Sequence, residues 1–187
     1  TAYNNLVSGS LPPSIGKLAA LETLELKQNA MVGPLPSQLG HLKLLRLLDI
    51  SHNNLTHPLP SEVGDMDSLE HLLLNDNVPG LSSHIPTTIG NISSLLTLQL
   101  TNNNLNGMLP DFLRDPYRAS RVVGITGNPY YCPLPNWALP MVTLDENGTA
   151  TGEAVGGYLG IECLHCPGEN PKTIDGRRIT AEGMAAR

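Results

Sequence analysis

The chain has 187 residues and a formal net charge of −6, from 11 Lys and Arg against 17 Asp and Glu. This acidic balance argues against a nucleic-acid partner, because phosphates demand clustered cations. No stretch is as long as the ~18 apolar residues of a membrane span, and 18 Gly with 16 Pro disfavour long helices. Leucine is abundant, with 32 residues, of which 26 precede residue 111.

A Leu-Pro or Ile-Pro pair recurs before residue 111 at spacings of 24, 24, 26 and 24 residues. The pairs are Leu11-Pro12, Leu35-Pro36, Leu59-Pro60, Ile85-Pro86 and Leu109-Pro110. Each of the first four pairs is followed by an aliphatic residue, a Gly, and then the pattern LxxLxLxxN. A period of this length predicts a repeat architecture, in which single turns cannot bury a core but stacked turns can.

The LxL part of each copy alternates aliphatic and other residues, which predicts a short strand with one buried face. We expect parallel strands near residues 23–27, 47–51, 71–75 and 97–101. An Asn follows at a fixed distance in every copy, namely Asn29, Asn53, Asn77, Asn103 and Asn128. A buried amide both donates and accepts, so these side chains are expected to bond the backbone of neighbouring turns.

The opposite side of each turn begins at the Leu-Pro or Ile-Pro pair. Proline prevents a full helix there and favours a short extended piece and a tight turn. An aliphatic residue and then a glycine follow, and we expect the glycine to permit close packing or a positive φ. The glycines are Gly16, Gly40, Gly64 and Gly90.

The frame LPxxIGxLxxLxxLxLxxNxLxGx resembles the plant-type, extracellular class of leucine-rich repeat. That class occurs in receptor-like kinase ectodomains, polygalacturonase-inhibiting proteins and protist surface proteins. The resemblance implies an α/β-type repeat solenoid, right-handed, with a parallel concave sheet and short 3₁₀ or extended segments on the convex side. The sequence departs from the pattern by two extra residues within 77–84 and by a degenerate fifth copy at 114–118.

We expect residues 1–131 to form the solenoid and residues 132–187 to form a C-terminal cap and a cysteine-bearing tail. The first copy starts midway and no cysteine-paired cap precedes it, so we expect an N-terminus that is truncated or covered by a partner. The segment from Gly127 to Cys132 resembles the C-terminal cap of such repeats. Trp137 and the tyrosines at 130 and 131 are expected to cover the last core edge.

The three cysteines, Cys132, Cys163 and Cys166, allow at most one internal disulfide. Cys132 is expected to pair with Cys163 or Cys166, which leaves one thiol for a bond outside the chain segment. A single CxxC supplies at most half of a tetrahedral zinc site, so no metal is expected.

Three N-x-[ST] sequons, at Asn54, Asn91 and Asn147, indicate a secreted or cell-surface glycoprotein. Asn54 and Asn91 are expected to point outward and away from the concave sheet. No GxSxG or HExxH motif and no phosphate-binding glycine loop is present, so we expect neither an enzyme nor a cofactor.

The concave face is the predicted ligand surface. Its leucines, Leu47 and Leu73, stand where solvent-facing residues belong, and an apolar spot with a polar rim is typical of a contact surface. The candidate ligand-binding residues are Glu25, Leu47, Asp49, His71, Leu73, Asp76 and Gln99.

Several functions fit this surface. The first is an extracellular module that binds a peptide or protein, as part of a larger surface protein. The alternatives are a structural component of an extracellular assembly, joined through the solenoid edge or the spare cysteine, and a secreted enzyme inhibitor. An ice-binding protein needs a flat array of one residue type, whereas the concave columns here are mixed.

Overall fold

The computed structural model describes residues 5–114 and 122–130. Within these residues the chain forms a solenoid of stacked turns, with strands on one side and 3₁₀ helices on the other. The strands are β1 (Ser8–Gly9), β2 (Thr23–Glu25), β3 (Ala30–Gly33), β4 (Leu47–Asp49), β5 (Asn54–Leu55), β6 (His71–Leu73), β7 (Ser82–Ser83), β8 (Thr97–Gln99), β9 (Asn104–Leu105) and β10 (Val122–Gly124). The 3₁₀ helices are Pro13–Lys17, Ser37–His41, Ser61–Asp65, Thr87–Asn91 and Asp111–Arg114.

The concave sheet has the order β10-β8-β6-β4-β2, and its neighbouring strands are parallel. Its strands begin where the alternation predicted them, and β10 supplies the strand of the degenerate copy. The central residues of the strands align in register and face the interior, where Leu48 and Leu72 are fully buried. The predicted parallel solenoid is therefore confirmed.

The core lies between the concave strands and the 3₁₀ helices and runs the length of the described turns. Aliphatic side chains from every segment of the frame fill it, and burying each such side chain contributes about 1.5–3 kcal/mol. At its C-terminal end Tyr130 is buried, which agrees with the expected cover of the last turn. Burial raises the pKa of the Tyr130 phenol above its ordinary value.

The predicted asparagine ladder is present and connects adjacent turns. The Asn77 amide donates to the carbonyl oxygens of Leu74 in its own turn, at 2.9 Å, and of Ile50 in the preceding turn, at 3.3 Å. Its Oδ1 accepts the backbone N–H of Leu55 at 3.1 Å. Asn53, Asn103 and Asn128 repeat this arrangement. Each amide therefore pairs backbone groups that the turns cannot pair among themselves.

Replacing Asn77 by Ala should lower the free energy of unfolding by about 2–4 kcal/mol, because buried backbone groups lose their partners. Asn77 is only 1% exposed, so water cannot replace the lost bonds. The matched control is Asn104→Ala, at an exposed position of β9. Chemical denaturation of both variants checks this, and equal small losses would contradict the role given to the ladder.

The frame glycines on the convex side serve close packing. None of the four, Gly16, Gly40, Gly64 and Gly90, has a positive φ. Of the two expected roles, close packing and a positive φ, close packing is therefore the correct one. A Cβ built on Gly40 would lie 2.5 Å from the carbonyl oxygen of Glu62 and 3.0 Å from its Cβ. Adjacent 3₁₀ helices thus approach too closely for any side chain at this position.

Gly40→Ala should destabilise the protein by about 1–3 kcal/mol, because backbone of the next turn must move to admit the methyl group. His41→Ala, at the exposed neighbouring position, is the control and should cost far less. Thermal melting of the two variants measures the difference. A Gly40→Ala variant as stable as the control would show that the helices separate without cost.

A second set of parallel strands lies on the lateral side, after the asparagine ladder. It consists of the sheet β1-β3-β5 and the pair β7-β9. Between them lies the two-residue insertion, where Val78-Pro79 is a cis peptide and Gly80 has φ +99°. A Cβ on Gly80 would lie 2.7 Å from the backbone nitrogen of Asn104, so glycine lets the insertion pack against the next turn. The insertion interrupts the lateral strands, whereas the concave sheet continues past it.

Candidate functional site

The outer surface of the concave sheet is built from two columns of strand residues in strict register. The first residue of each strand pairs with the first residue of the neighbouring strand, and the third residue pairs with the third. The first column is Thr23, Leu47, His71, Thr97 and Val122, and the second is Glu25, Asp49, Leu73, Gln99 and Gly124. Backbone bonds extend the pairing beyond the strands, as from His52 N to Asn75 O at 2.9 Å and from Asp76 N to Thr101 O at 2.9 Å.

The predicted apolar pair lies at the centre of this surface. Leu47 is opposite His71, and Leu73 is opposite Asp49, so the leucines are diagonal on adjacent strands, with roughly 8 Å between their Cα atoms. Both side chains are half-buried. The His71 ring contributes its Nδ1 to a hydrogen bond with Thr97 Oγ1, at 3.0 Å. His71 therefore has a fixed position beside Leu47.

Asp49, a candidate ligand-binding residue, does not belong to an exposed polar rim. It is 5% exposed, because it lies between its strand neighbours and bonds its own chain. Its Oδ1 accepts hydrogen bonds from Ser51 N, at 3.1 Å, and from Ser51 Oγ, at 2.6 Å. Asp49 is therefore buried beneath the concave surface. Glu25 is half-buried at the N-terminal side of that surface.

Gln99 and the last turn complete the surface at its C-terminal side. Gln99 lies opposite Leu73, and its side chain extends over Gly124, so a side chain at position 124 would displace the Gln99 amide. Asn102 in the same way lies over Gly127. The glycines of this turn leave room for polar side chains of the preceding turn.

Asp76 is the centre of a polar cluster just beyond the strands. Asn102 Nδ2 donates to Asp76 Oδ1 at 2.6 Å, and Asn75 Nδ2 donates to Asp76 Oδ2 at 2.7 Å. His52 Nε2 lies 3.6 Å from Asp76 Oδ2. These bonds hold the carboxylate in one orientation, with its side chain still 33% exposed to solvent.

The cluster lowers the pKa of Asp76 below its ordinary value. The hydrogen bond from Asn102 is the largest cause, the bond from Asn75 is the second, and the charge of His52 adds to them, while burial opposes the shift. Asp76 is therefore ionised throughout the neutral and mildly acidic range. It presents a fixed negative charge beside the leucine pair.

The sequence alone did not identify His52, Asn75 and Asn102 as partners of Asp76. The backbone explains the cluster, because the residue before each ladder asparagine has a left-handed conformation. The residues are Gln28 (φ 54°), His52 (φ 53°), Asp76 (φ 56°), Asn102 (φ 53°) and Gly127 (φ 67°). The signal in the sequence was the enrichment of His, Asp, Asn and Gly at that position, since these residues adopt this region most readily.

Asn102→Ala should raise the pKa of Asp76 toward its ordinary value. A depressed folded-state pKa stabilises the fold above the unfolded pKa, and this contribution is lost as the pH falls through the folded pKa. The variant should therefore lose more stability at neutral pH than in acid, where only the cost of placing Ala at the left-handed position 102 remains. NMR titration of the Asp76 carboxyl carbon, with Asn104→Ala as control, measures the shift; an unchanged pKa would contradict it.

The other predicted sites divide between described and undescribed residues. Asn54 lies in β5 and Asn91 ends a convex 3₁₀ helix, and both are exposed. Asn147, the three cysteines and the rest of 131–187 lie outside the described residues. In the part of the chain that the structure describes, no three His, Cys, Asp or Glu side chains are grouped to hold a metal ion. No helix in that part is long and apolar enough to cross a membrane.

A family model described as a leucine-rich repeat region matches residues 14–114, which is more than half of the chain. A comparison with curated proteins gives no match. Solved structures of plant proteins do match. The ectodomain of the membrane receptor kinase GASSHO1/SCHENGEN3 from Arabidopsis thaliana, in complex with CASPARIAN STRIP INTEGRITY FACTOR 2, is 34% identical with a TM-score of 0.64. The alignment covers 69% of this chain and 15% of that one.

The Arabidopsis receptor kinase HAESA, in complex with the peptide hormone IDA and the co-receptor SERK1, is 31% identical with a TM-score of 0.64, over 69% of this chain and 21% of that one. A plant ice-binding protein is 26% identical with a TM-score of 0.61, over 71% of this chain and 43% of that one. The chain thus spans about a fifth or less of the length of these two receptor ectodomains.

Proposed function

The chain belongs to the leucine-rich repeat family, and from that premise we propose that it is an extracellular module that binds a peptide or protein on its concave face. The observation that carries the proposal is the diagonal placement of Leu47 and Leu73 on adjacent strands of one sheet, three residues before the oriented carboxylate of Asp76 in the case of Leu73. A half-buried apolar centre with fixed polar neighbours is the anatomy of a protein contact surface.

The rigidity of this surface favours binding. Strands β4, β6 and β8 each pair with a neighbouring strand on both sides, and His71 and Asp76 are held by hydrogen bonds from neighbouring turns. A ligand therefore need not order these groups, which lowers the entropic cost of association. The charge of Asp76 favours a ligand with a Lys or Arg residue near its apolar anchor.

The similarity to receptor-kinase ectodomains supports the extracellular or cell-surface location and the binding of a peptide. The structures of GASSHO1/SCHENGEN3 and HAESA both contain a bound partner, and HAESA also contains a co-receptor. A module of this kind acts by recognition, without catalysis. The exposed sequons Asn54 and Asn91 lie away from the concave columns and leave them open to a ligand.

Of the two alternatives, only the structural component needs a surface other than the concave centre. A structural component would use the solenoid edge or a cysteine, and a secreted inhibitor would bind one enzyme. The similarity to an ice-binding protein does not favour that function here, because the concave columns mix apolar, acidic, basic and amide residues.

The double substitution Leu47→Ser, Leu73→Ser tests the proposal. Truncating an apolar anchor costs about 1–3 kcal/mol of binding, which is roughly a 5- to 150-fold loss of affinity. The probe is a displayed library of randomised peptides, selected on the unmodified protein. Selected peptides should lose affinity for the double variant, as measured by calorimetry.

Leu44→Ser is the matched control, because Leu44 is 52% exposed and lies outside the concave columns. Thermal melting verifies that each variant is folded. If the peptides bind the folded double variant and the control equally well, the contact lies elsewhere. The structural alternative would then be favoured over the binding module.

A further inference from the structure

We propose that Asn54 is N-glycosylated and that the first sugar of its glycan covers two exposed valines, Val32 and Val78, on the lateral side of the solenoid. The proposal rests on the proposed extracellular function, since glycosylation requires the secretory pathway. It goes beyond that function because it gives the glycan a structural role and a defined contact.

Asn54 lies between the two valines. Its Cα is the register partner of Val32 in the parallel pair β3-β5, and both residues are exposed. Register partners on one face of a parallel pair are about 5 Å apart. On the other side, Asn54 Nδ2 donates to the carbonyl oxygen of Val78 at 2.8 Å. A group attached to Nδ2 therefore begins between Val32 and Val78.

Both valine side chains are substantially exposed to solvent. Val32 is 46% exposed and Val78 is 68% exposed. Val78 belongs to the insertion that interrupts the lateral strands, so no strand of the described chain covers it. Covering both side chains would remove apolar area from water.

The chemistry of transfer preserves the orientation of the side chain. A bond forms between Asn54 Nδ2 and the anomeric carbon of a sugar carried on a polyprenyl diphosphate, and the bond from that carbon to the diphosphate oxygen breaks. Nδ2 gives one proton to a base of the transferring enzyme, and the polyprenyl diphosphate leaves with the electron pair. One N–H remains on Nδ2 and can still donate to Val78 O.

An N-acetylhexosamine suits the chemistry of this apolar surface. Its ring has an apolar face of C–H groups and carries an acetamide methyl, while its hydroxyl groups point to the edge. The apolar face and the methyl can contact the valines while the hydroxyl groups stay in water. The sequon continues through Leu55 to Thr56, so the acceptor pattern is complete.

Asn91 provides the internal control. It is an exposed sequon residue at the end of the convex helix Thr87–Asn91, and the residue at the same position of the preceding turn is the exposed Asp65. Among the residues that the structure describes, a sugar on Asn91 has the polar Asp65 beside it and no comparable pair of exposed valines. A glycan there should add solubility without a specific contact.

The experiment uses the full chain, secreted from a eukaryotic host through an added leader and trimmed by an endoglycosidase to one N-acetylglucosamine per site. The difference in intact mass between the protein and its Asn54→Gln variant establishes the occupancy of Asn54. The variants Asn54→Gln and Asn91→Gln are each also made in bacteria, so that the effect of the substitution is separated from the effect of the sugar. Thermal midpoints are then compared.

The sugar on Asn54 should raise the midpoint by roughly 2–4 °C, and the sugar on Asn91 should change it far less. In the double variant Val32→Ser, Val78→Ser the increment from Asn54 should disappear, which isolates the contact as in a double-mutant cycle. In the protein that carries the sugar and has both valines, nuclear Overhauser contacts should join the acetamide methyl to the valine methyls.

An unoccupied Asn54, equal increments at both sites, or an increment that survives in the valine variant would overturn the proposal. These outcomes leave the binding proposal intact, because peptide binding through Leu47 and Leu73 is measured on unglycosylated protein. Loss of peptide binding in turn leaves the glycan contact intact. The two proposals therefore fail separately.

Discussion

The side-chain amide that follows each concave strand is the interaction on which the solenoid depends. Each turn must change direction at the end of its strand, and the backbone groups there cannot bond within the turn or meet water. The amides of Asn53, Asn77, Asn103 and Asn128 replace those missing partners, both within the turn and in the turn before. The apolar core supplies most of the stabilisation, but the amides fix the spacing at which the core can form.

Most of the fold could be predicted because the same sequence pattern, and therefore the same local structure, recurs in several copies. The period of the Leu-Pro pairs, the LxxLxLxxN pattern and the fixed Asn predicted the strand positions, the parallel pairing and the ladder. The role of Gly40 was left between two alternatives, since spacing alone does not distinguish a close approach from a positive φ. Its contact with Glu62 decides between them.

The candidate site was predictable in outline and less so in detail. The alternation placed Leu47 and Leu73 on one face, because register in a repeat follows from counting. The burial of Asp49 was not predictable, since it depends on the Ser51 hydroxyl and on the side chains of adjacent strands. The hydrogen bonds to Asp76 depend on the rotamers of side chains in neighbouring turns, and no pattern in one sequence specifies those rotamers.

The two-residue insertion shows that a repeat can become longer without a change in the register of the concave strands. Successive copies along the concave face keep their register although one copy is longer, as the pairing of His71 with Thr97 shows. The extra residues lie between Asn77, which pairs with Asn53, and Ser82, which pairs with Pro58, so the additional length is taken up on the lateral side. The spacing of the columns that a ligand would contact is thereby insulated from changes in repeat length. Such a solenoid can gain a protruding loop at this point while the residues of its recognition surface keep the same spacing.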